Sequence, residues 1–294
     1  MVTVDARGRI VVGTDGSGSA HVAVDWAAGT AAERGGKLLI VWAVPELSSG
    51  GRVSSSRVLT DDVLSSVRAE VGRRLTEERD RVVQRFPDLD VAAELVVGGP
   101  AEVLVEASKG AELVVVGARG WHSSLTAQVL GGVSDAVATH AHGLVAVVPE
   151  TTHAGQTGPV VVGVVDVPEA VAAVRVAIAE AVARGVPLVA LNAWDLGFVD
   201  VDISELKTDL ARMLDDILKP LLAGAPGLTV EKRVVLGRPA DALLHASHGA
   251  SMVVVGSRGH EGFLGLRLGS TSRAVLRASR CPVLVARLGQ PSSA

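Results

Sequence analysis

Short apolar runs alternate along the chain with longer segments in which apolar residues recur every three or four positions. Apolar runs of about four to eight residues that are bounded by turn residues predict buried strands. In the first half these runs are residues 9–12, 37–44, 91–97, 113–116 and 144–148. Because the predicted strands alternate with predicted helices, we expect a parallel sheet with helices on both faces.

The segments between the apolar runs predict the helices. From Ala20 onward, alanine and valine residues fall on one helical face, and this segment ends at a glycine pair. Residues 61–86 are highly charged, and their pattern indicates a helix with a solvated face. Two short helices are expected at residues 134–140 and 272–278, and the hydroxyl of Ser272 is expected to cap the second one.

The pattern of the first half recurs in the second half. Gly117 recurs as Gly256 after 139 positions, whereas Gly13 recurs as Gly163 after 150 positions. The difference of 11 corresponds to residues 46–60, a loop rich in serine and glycine that follows the second strand and is shorter in the second half. The chain is therefore a tandem repeat.

The length of 294 residues suits two domains better than one. Residues 151–159 contain glycine, threonine and proline but no apolar run, so they predict a linker. We expect the domains at residues 1–150 and 159–288.

Composition narrows the class of protein. Hydrophobic residues make up 48% of the chain and aromatic residues 2%, which predicts an aliphatic core. A net charge of −4, with both signs interspersed, argues against a nucleic-acid partner. No apolar run approaches the ~20 residues of a membrane span, residues 1–8 contain no apolar signal region, and there is one cysteine. We therefore expect a cytoplasmic protein without a membrane partner.

One stretch, residues 252–272, reads MVVVGSRGHEGFLGLRLGSTS. A predicted strand ends at Gly256, then come Gly259, nine further residues and Gly269, and a helix follows. Glycines at the end of a strand let the backbone approach a ligand closely, and the N–H groups at a helix start bind anions. This spacing predicts a phosphate-binding loop, and residues 113–134 contain a looser copy of it.

Two common phosphate-binding motifs do not match. A P-loop needs Gly-x-x-x-x-Gly-Lys-Ser/Thr, and the sequence contains no such run. The Gly-x-Gly at Gly16 and Gly18 follows an early strand, but His21 stands where the dinucleotide fingerprint needs a third glycine. We interpret this segment as a turn.

The glycine loop, taken with its flanking segments, resembles the nucleotide-binding signature of the ATP-binding universal stress proteins. The agreeing flanking segments are residues 12–17 after the first strand and a Gly-x-Pro-Ala turn before the penultimate helix. The resemblance covers nearly the whole chain, twice. It implies an α/β fold with two Rossmann-like domains of the adenine nucleotide alpha hydrolase-like type, each a five-stranded parallel sheet of order 3-2-1-4-5 with helices on both faces.

In open parallel sheets a ligand binds beyond the carboxyl ends of the strands, where the strand order reverses. With the order that the resemblance implies, the loops at residues 13–19 and 117–134 converge at this point, and the ligand is ATP. The contacts expected in the first half are Gly13, Thr14, Asp15, Ala43, Val116, Gly117, Arg119, Gly120, Gly131, Gly132, Val133 and Ser134. Those expected in the second half are Gly163, Val165, Ala193, Val255, Gly256, Arg258, Gly259, Gly269, Ser270, Thr271 and Ser272.

Several of these residues have a specific role in the resemblance. Asp15 matches a position whose carboxylate lies near the nucleotide, which implies a bridging Mg²⁺ or a contact to a ribose hydroxyl. The alternative is that Asp15 only forms an Asx turn with the following backbone. Ala43 and Ala193 match a position whose backbone contacts the adenine edge. Arg119 and Arg258 either pair with phosphate or remain exposed arginines.

The two halves depart from the family pattern in different places. The first half has ten residues rather than nine between Gly120 and Gly131, so we expect a looser loop there. In the second half Val165 stands where Asp15 stands in the first, and Asp166 follows one place later. Because a shift of one residue on a strand moves a side chain to the opposite face, a cation should matter less in the second site.

These features predict an ATP-binding universal stress protein that acts as a nucleotide-dependent regulator of the stress or dormancy response. The alternatives are a slow ATPase and an interaction scaffold with vestigial nucleotide pockets; no catalytic constellation or zinc site stands out in the sequence. The fifth strands, residues 144–148 and 282–285, are strongly apolar and lie at sheet edges in the implied order. They should pair with each other or with another chain, and the resemblance implies a homodimer.

Overall fold

The structure is a computed structural model that describes residues 4–46, 61–120, 130–153, 157–195, 203–257 and 268–287. Within these residues strands and helices alternate, which confirms the α/β fold. The strands are β1 (Ile10–Gly13), β2 (Lys37–Val44), β3 (Asp90–Val97), β4 (Leu113–Gly117), β5 (Val145–Val148), β6 (Val160–Gly163), β7 (Leu188–Trp194), β8 (Val230–Leu236), β9 (Met252–Gly256) and β10 (Val283–Ala286). The helices are α1 (Gly18–Glu33), α2 (Asp61–Arg85), α3 (Pro100–Ala107), α4 (Gly132–His140), α5 (Pro168–Arg184), α6 (Ile203–Leu222), α7 (Pro239–Ala246) and α8 (Ser270–Ala278).

The ten strands form one sheet in the order β3-β2-β1-β4-β5-β10-β9-β6-β7-β8. Each half therefore has the predicted order 3-2-1-4-5. Strands within a half pair in parallel, whereas β5 and β10 pair antiparallel, with Val147 opposite Val283 and Val145 opposite Val285. The apolar fifth strands thus cover each other within one chain, and a homodimer would need another surface.

The strands are buried on both faces, which suits their valine-rich sequences. Successive side chains of a strand point to opposite faces. Ile10 and Val12 belong to a core cluster with α1, α2, α5 and α6, while Val11 belongs to a second cluster with α3, α4, α7 and α8. Each cluster contains residues of both halves, so the hydrophobic core continues across the junction of the repeats.

Charged residues of α1 and α5 join the halves on the first of these faces. The buried carboxylate of Glu180 accepts hydrogen bonds from Arg34 and, at 3.4 Å, from Arg184. Arg184 also donates to Thr30 at 3.1 Å, and its guanidinium lies 5.7 Å from the centre of the Trp26 ring. A buried carboxylate is costly unless it is paired, and here both halves contribute to the pairing.

The helix α2 has the solvated face that its charge pattern predicts, but Glu78 is buried, and the sequence pattern did not indicate this. Its carboxylate has the His21 ring nitrogen Nδ1 at 2.9 Å and an Arg81 hydrogen bond at 2.8 Å. Arg81 also donates to Asp25 at 2.5 Å. Residues of α1 therefore pack against charged residues of α2.

The starts of two short helices also differ from the prediction. The helix α4 begins at Gly132 and α8 begins at Ser270, each two residues earlier than expected, with Gly131 and Gly269 as the N-cap residues. Ser272 is therefore the third residue of α8 and does not cap it. Among the residues that the structure describes, no helix has the length and apolarity needed to cross a membrane.

Candidate functional site

A cavity of about 800 Å³ opens at the carboxyl edge of the first half, beside the ends of β1, β2 and β4. All twelve residues predicted as contacts in the first half line it: Gly13, Thr14, Asp15, Ala43, Val116, Gly117, Arg119, Gly120, Gly131, Gly132, Val133 and Ser134. The strand order explains why these residues meet. The strands β1 and β4 are neighbours, and the segments that follow them cross to opposite faces of the sheet, which leaves a crevice between them. The volume lies within the range of small-molecule sites.

The N-terminus of α4 forms one end of this cavity. Its N-cap, Gly131, has no side chain to offer, and the first helical hydrogen bond runs from the Asp135 N–H to the Gly131 carbonyl at 2.9 Å. The three preceding N–H groups, of Gly132, Val133 and Ser134, belong to residues that line the cavity. Such groups, together with the positive end of the helix dipole, bind anions.

The serine at the third position of each helix bonds the end of the preceding strand, and this holds for Ser272, which was expected to cap α8. The hydroxyl of Ser134 donates to the Gly117 carbonyl at 2.5 Å, and that of Ser272 donates to the Gly256 carbonyl at 2.7 Å. A local sequence signal cannot separate this role from capping, because the accepting carbonyl lies 16 or 17 residues earlier in the chain. The hydroxyls thus fix the distance between strand and helix at both sites.

An equivalent backbone hydrogen bond closes the base of each glycine loop. The N–H of Gly131 donates to the Ala118 carbonyl at 2.9 Å, and the N–H of Gly269 donates to the Ser257 carbonyl at 2.8 Å. The extra residue in the first loop therefore does not alter the base of the loop. The remainder of the loops, residues 121–129 and 258–267, lies outside the described residues, and with it the predicted contacts Arg258 and Gly259.

Asp15 forms the Asx turn that was one of its two predicted roles. Its Oδ1 accepts the Ser17 N–H at 2.9 Å. Its Oδ2 lies 2.7 Å from where a side-chain Cβ would stand at Gly120, so a side chain at Gly120 would displace the Asp15 carboxylate. Among the residues that the structure describes, no group of three metal-ligating side chains surrounds this carboxylate. The geometry therefore shows a contact between loops and leaves a metal-binding role as a proposal.

Gly117 is required by packing and not by a left-handed backbone. Glycines with positive φ occur elsewhere in the described chain, and Gly117 is not among them. A Cβ at this position would lie 2.7 Å from the Ser19 hydroxyl and 2.9 Å from the Ser19 carbonyl oxygen. The same hydroxyl accepts the Arg119 N–H at 3.3 Å. Substitution of Gly117 would therefore disturb the contact between β4 and α1 as well as any ligand.

The cavity also has walls that the sequence did not reveal. These residues are Ala20, Val41, Pro45, Arg74, Pro100, Leu104 and Leu130. Val41 could have been found, because it lies two positions before Ala43 and so shares its face of β2. Arg74 gave no such signal, since its place depends on how α2 packs over the sheet. Apolar walls at one end and N–H donors at the other suit an amphipathic anion.

The predicted residues of the second half lie at the equivalent strand ends and helix start. Gly163, Ala193, Val255 and Gly256 end their strands, and Gly269, Ser270, Thr271 and Ser272 form the start of α8. The Val164 N–H donates to Leu191 at 2.8 Å, as that of Thr14 donates to Val41 at 2.9 Å.

The loop that follows β6 differs from its counterpart in the first half. Val165 is half-buried at the position of Asp15, and its carbonyl accepts the Val167 N–H at 2.9 Å. Proline then opens α5, and Asp166 is exposed. The second half thus has no Asx turn at this point, and its strand-end side chain cannot ligate a cation.

Comparisons with known proteins agree with this architecture. The model of the universal stress protein family matches residues 6–149 and 157–287. A universal stress protein of Mycobacterium tuberculosis is 36% identical over 303 residues, which cover 96% of this chain and 95% of that protein. A second one from the same organism is 35% identical over 301 residues, with coverage of 95% and 96%. A solved universal stress protein from Archaeoglobus fulgidus DSM 4304 shows the same fold, with a TM-score of 0.73 at 19% identity over 97% of this chain and 100% of that one. The chain therefore belongs to the universal stress protein family, with the family domain present twice.

Proposed function

We propose that this protein binds ATP and acts as a nucleotide-dependent regulator of the stress or dormancy response. The observation that carries the proposal is the cavity of about 800 Å³ that joins the open N-terminus of α4 to the apolar end of β2. A nucleotide has matching ends, since its phosphates are anionic and its base is flat and largely apolar.

The phosphates would accept hydrogen bonds from the N–H groups of Gly132, Val133 and Ser134. The guanidinium of Arg119, which lines the same end, adds positive charge. The base would lie toward Ala43 at the end of β2, where backbone groups can contact its edge. Family membership supports this orientation, because all twelve first-half residues named in the resemblance line the cavity.

A magnesium ion would be held by Asp15. One of its oxygens already accepts the Ser17 N–H, but a carboxylate has lone pairs for further ligands. The ion would neutralise part of the triphosphate charge beside the glycine loop. Asp15 is also the one carboxylate among the described lining residues, which favours a binding protein over a hydrolase that needs a separate general base.

We further propose that the domains extend over residues 1–150 and 159–288 and that the protein is cytoplasmic. The single cysteine agrees with a reducing compartment. The homodimer stays a prediction that rests on the resemblance, because β5 and β10 pair within the chain.

Two measurements on one preparation test ATP binding. Protein purified without added nucleotide is denatured and its supernatant is analysed by ion exchange, while a second portion is melted with and without Mg-ATP. We expect bound nucleotide or a rise in Tm, since ligand at one hundred times its Kd stabilises a site by about 2.7 kcal/mol. Magnesium tripolyphosphate is the control for an anion effect without a base. No bound nucleotide and no Tm shift at millimolar ATP would exclude the proposed function.

A further inference from the structure

The geometry points to Arg74 as a ligand-contacting residue that binds the base end of the nucleotide in the first cavity and has no counterpart in the second half. This inference rests on the proposed function, because it concerns the same cavity. Arg74 lies on α2 and lines the cavity together with Ala43 and Pro45, at the end of β2.

The place of Arg74 in the sheet separates it from the phosphate end. The helix α2 packs on β2 and β3, whereas the glycine loop follows β4. The strand β1 lies between β2 and β4. Adjacent strands are about 4.8 Å apart, so the end of β2 lies about 10 Å from the end of β4. In the proposed orientation of the nucleotide, α2 and Arg74 therefore lie on the side of the cavity that holds the base.

A salt bridge to Glu70, with both side chains about half exposed, anchors Arg74 along its own helix. Its Nε donates to Glu70 at 2.7 Å along the same helix. The hydrogen bonds from Arg73 and Arg74 lower the pKa of the Glu70 carboxyl, so the anchor stays charged at neutral pH. Arg74 and Glu70 also line a neighbouring cavity of about 520 Å³ beside Trp42, so Arg74 forms the wall between the two spaces. The hydrogen bond to Glu70 uses Nε and not the two terminal nitrogens of the guanidinium.

The second half repeats the anchor but not this arginine. Residues of α2 recur in α6 after 139 positions, as Gly117 recurs in Gly256. The pair Arg73–Glu70, at 2.8 Å, thus recurs as Arg212–Asp209, also at 2.8 Å. Arg74 instead recurs as Met213, which packs against the hydrophobic core. The arginine at the cavity is therefore not part of the repeated helix surface.

A guanidinium can stack on the face of a purine or donate to its edge. Both contacts involve the base alone, so their contribution to the affinity should be the same for ligands with three phosphates and for ligands with none. A contact to phosphate would instead grow with the number of phosphates and weaken in salt. Affinity measurements on ligands with different numbers of phosphates can therefore distinguish an arginine that contacts the base from one that contacts phosphate.

The experiment is calorimetry on the full chain with ATP, AMP and adenosine, in a Ser270→Asp background that places a carboxylate at the start of α8 and leaves the first site to be measured. We expect Arg74→Met to weaken all three ligands by the same factor, about three- to thirtyfold. Arg73→Met is the matched control, because Arg73 shares the Glu70 anchor but does not line the cavity. It should leave the affinities unchanged. Arg74→Gln repeats the test with a polar helix former.

The outcomes are distinguishable. If the parent protein binds none of the three ligands, the proposed function fails and this inference fails with it. If the parent binds but Arg74→Met and Arg74→Gln do not change affinity, only this inference is overturned. A loss that is larger for ATP than for adenosine and smaller at high salt would assign Arg74 to the phosphates, which also overturns it.

Discussion

The two halves of the chain share one backbone frame and differ in the side chains placed on it. Each glycine loop is closed by one N–H to carbonyl bond, at 2.9 Å from Gly131 to Ala118 and at 2.8 Å from Gly269 to Ser257. Each helix start is tied to its strand by a serine hydroxyl. The backbone geometry of the helix start is thus kept in both halves although neighbouring charges are replaced by apolar residues.

The largest chemical difference lies where the first two helices of each repeat meet. In the first half Glu78 and Arg81 of α2 face His21 and Asp25 of α1. Burial alone would raise the pKa of Glu78, but hydrogen bonds from Arg81 and His21 outweigh it and lower this pKa, while Glu78 raises the pKa of Arg81. In the second half the position of Glu78 is occupied by Ile217, which packs on the core. One interface is ionic and the other is apolar.

The strongest test of the shared frame is to block each helix start separately. Gly132→Asp and Ser270→Asp place a carboxylate at the first residue of α4 and α8, where it suits the helix dipole but repels phosphate. Each should abolish binding at its own site, with a loss of at least a hundredfold, or ~3 kcal/mol. Calorimetric stoichiometry should fall by one in each variant.

The matched control for this test is Gly132→Ser, which gives the first half the residue that the second half has. A Cβ at Gly132 meets nothing within 4 Å, so the fold should accept either side chain. If Gly132→Asp kept full stoichiometry and affinity, the start of α4 would not be the phosphate site. If Gly132→Ser lost binding as well, the effect of aspartate would be steric and not electrostatic.

A smaller effect should separate the sites by their dependence on magnesium. In Asp15→Asn the amide oxygen can still accept the Ser17 N–H, so the turn remains while the charge is removed. The first site should weaken ten- to a hundredfold, about 1.4–2.7 kcal/mol, and EDTA should act alike. The second site should change little, because Val165 cannot ligate a metal. Calorimetry on the two single-site variants measures this.

Equal dependence on magnesium in the two sites would contradict this assignment. The Asx turn would then be the whole role of Asp15. The control is Asp166→Asn, an exposed aspartate one position beyond the equivalent place in the second half, which should alter neither site.

The smallest expected effect concerns acid stability. Because the pKa of Glu78 in the folded state lies below its ordinary value of 4.5, its contribution is present above pH 4.5 and is lost as the pH falls further. Glu78→Gln should lower the free energy of unfolding by about 1–2 kcal/mol at pH 7, and the difference from the parent should shrink below pH 4.5. Urea unfolding at pH 7, 4.5 and 3.5 measures this. Asp209→Asn, in an exposed pair of α6, is the control and should cost less than about 0.5 kcal/mol. A difference that stays constant with pH would exclude the ionic explanation.

The strands and the convergence of the loops were predictable from the sequence because they depend on short local patterns and on a strand order carried by resemblance. The helix starts at Gly132 and Ser270 were both placed two residues too late, and at Ser272 the reason is that a serine that bonds a distant carbonyl looks like a cap. Arg74 and Glu78 were missed for a different reason. Both belong to a helix with charges on every side, and only its packing over β2 and against α1 decides which charge is buried and which one lines the cavity.

The antiparallel pairing of β5 with β10 also decides where the two sites lie on the molecule. Strands of the first half run in one direction along the sheet and those of the second half run in the other. Their carboxyl ends, and the glycine loops that follow them, therefore emerge on opposite rims of the sheet. A ligand in the first cavity would therefore not reach the start of α8, and a protein that docks over the mouth of that cavity would leave the start of α8 accessible. If both halves bind a nucleotide as proposed, the tandem chain would hold the two nucleotides separately, one on each rim.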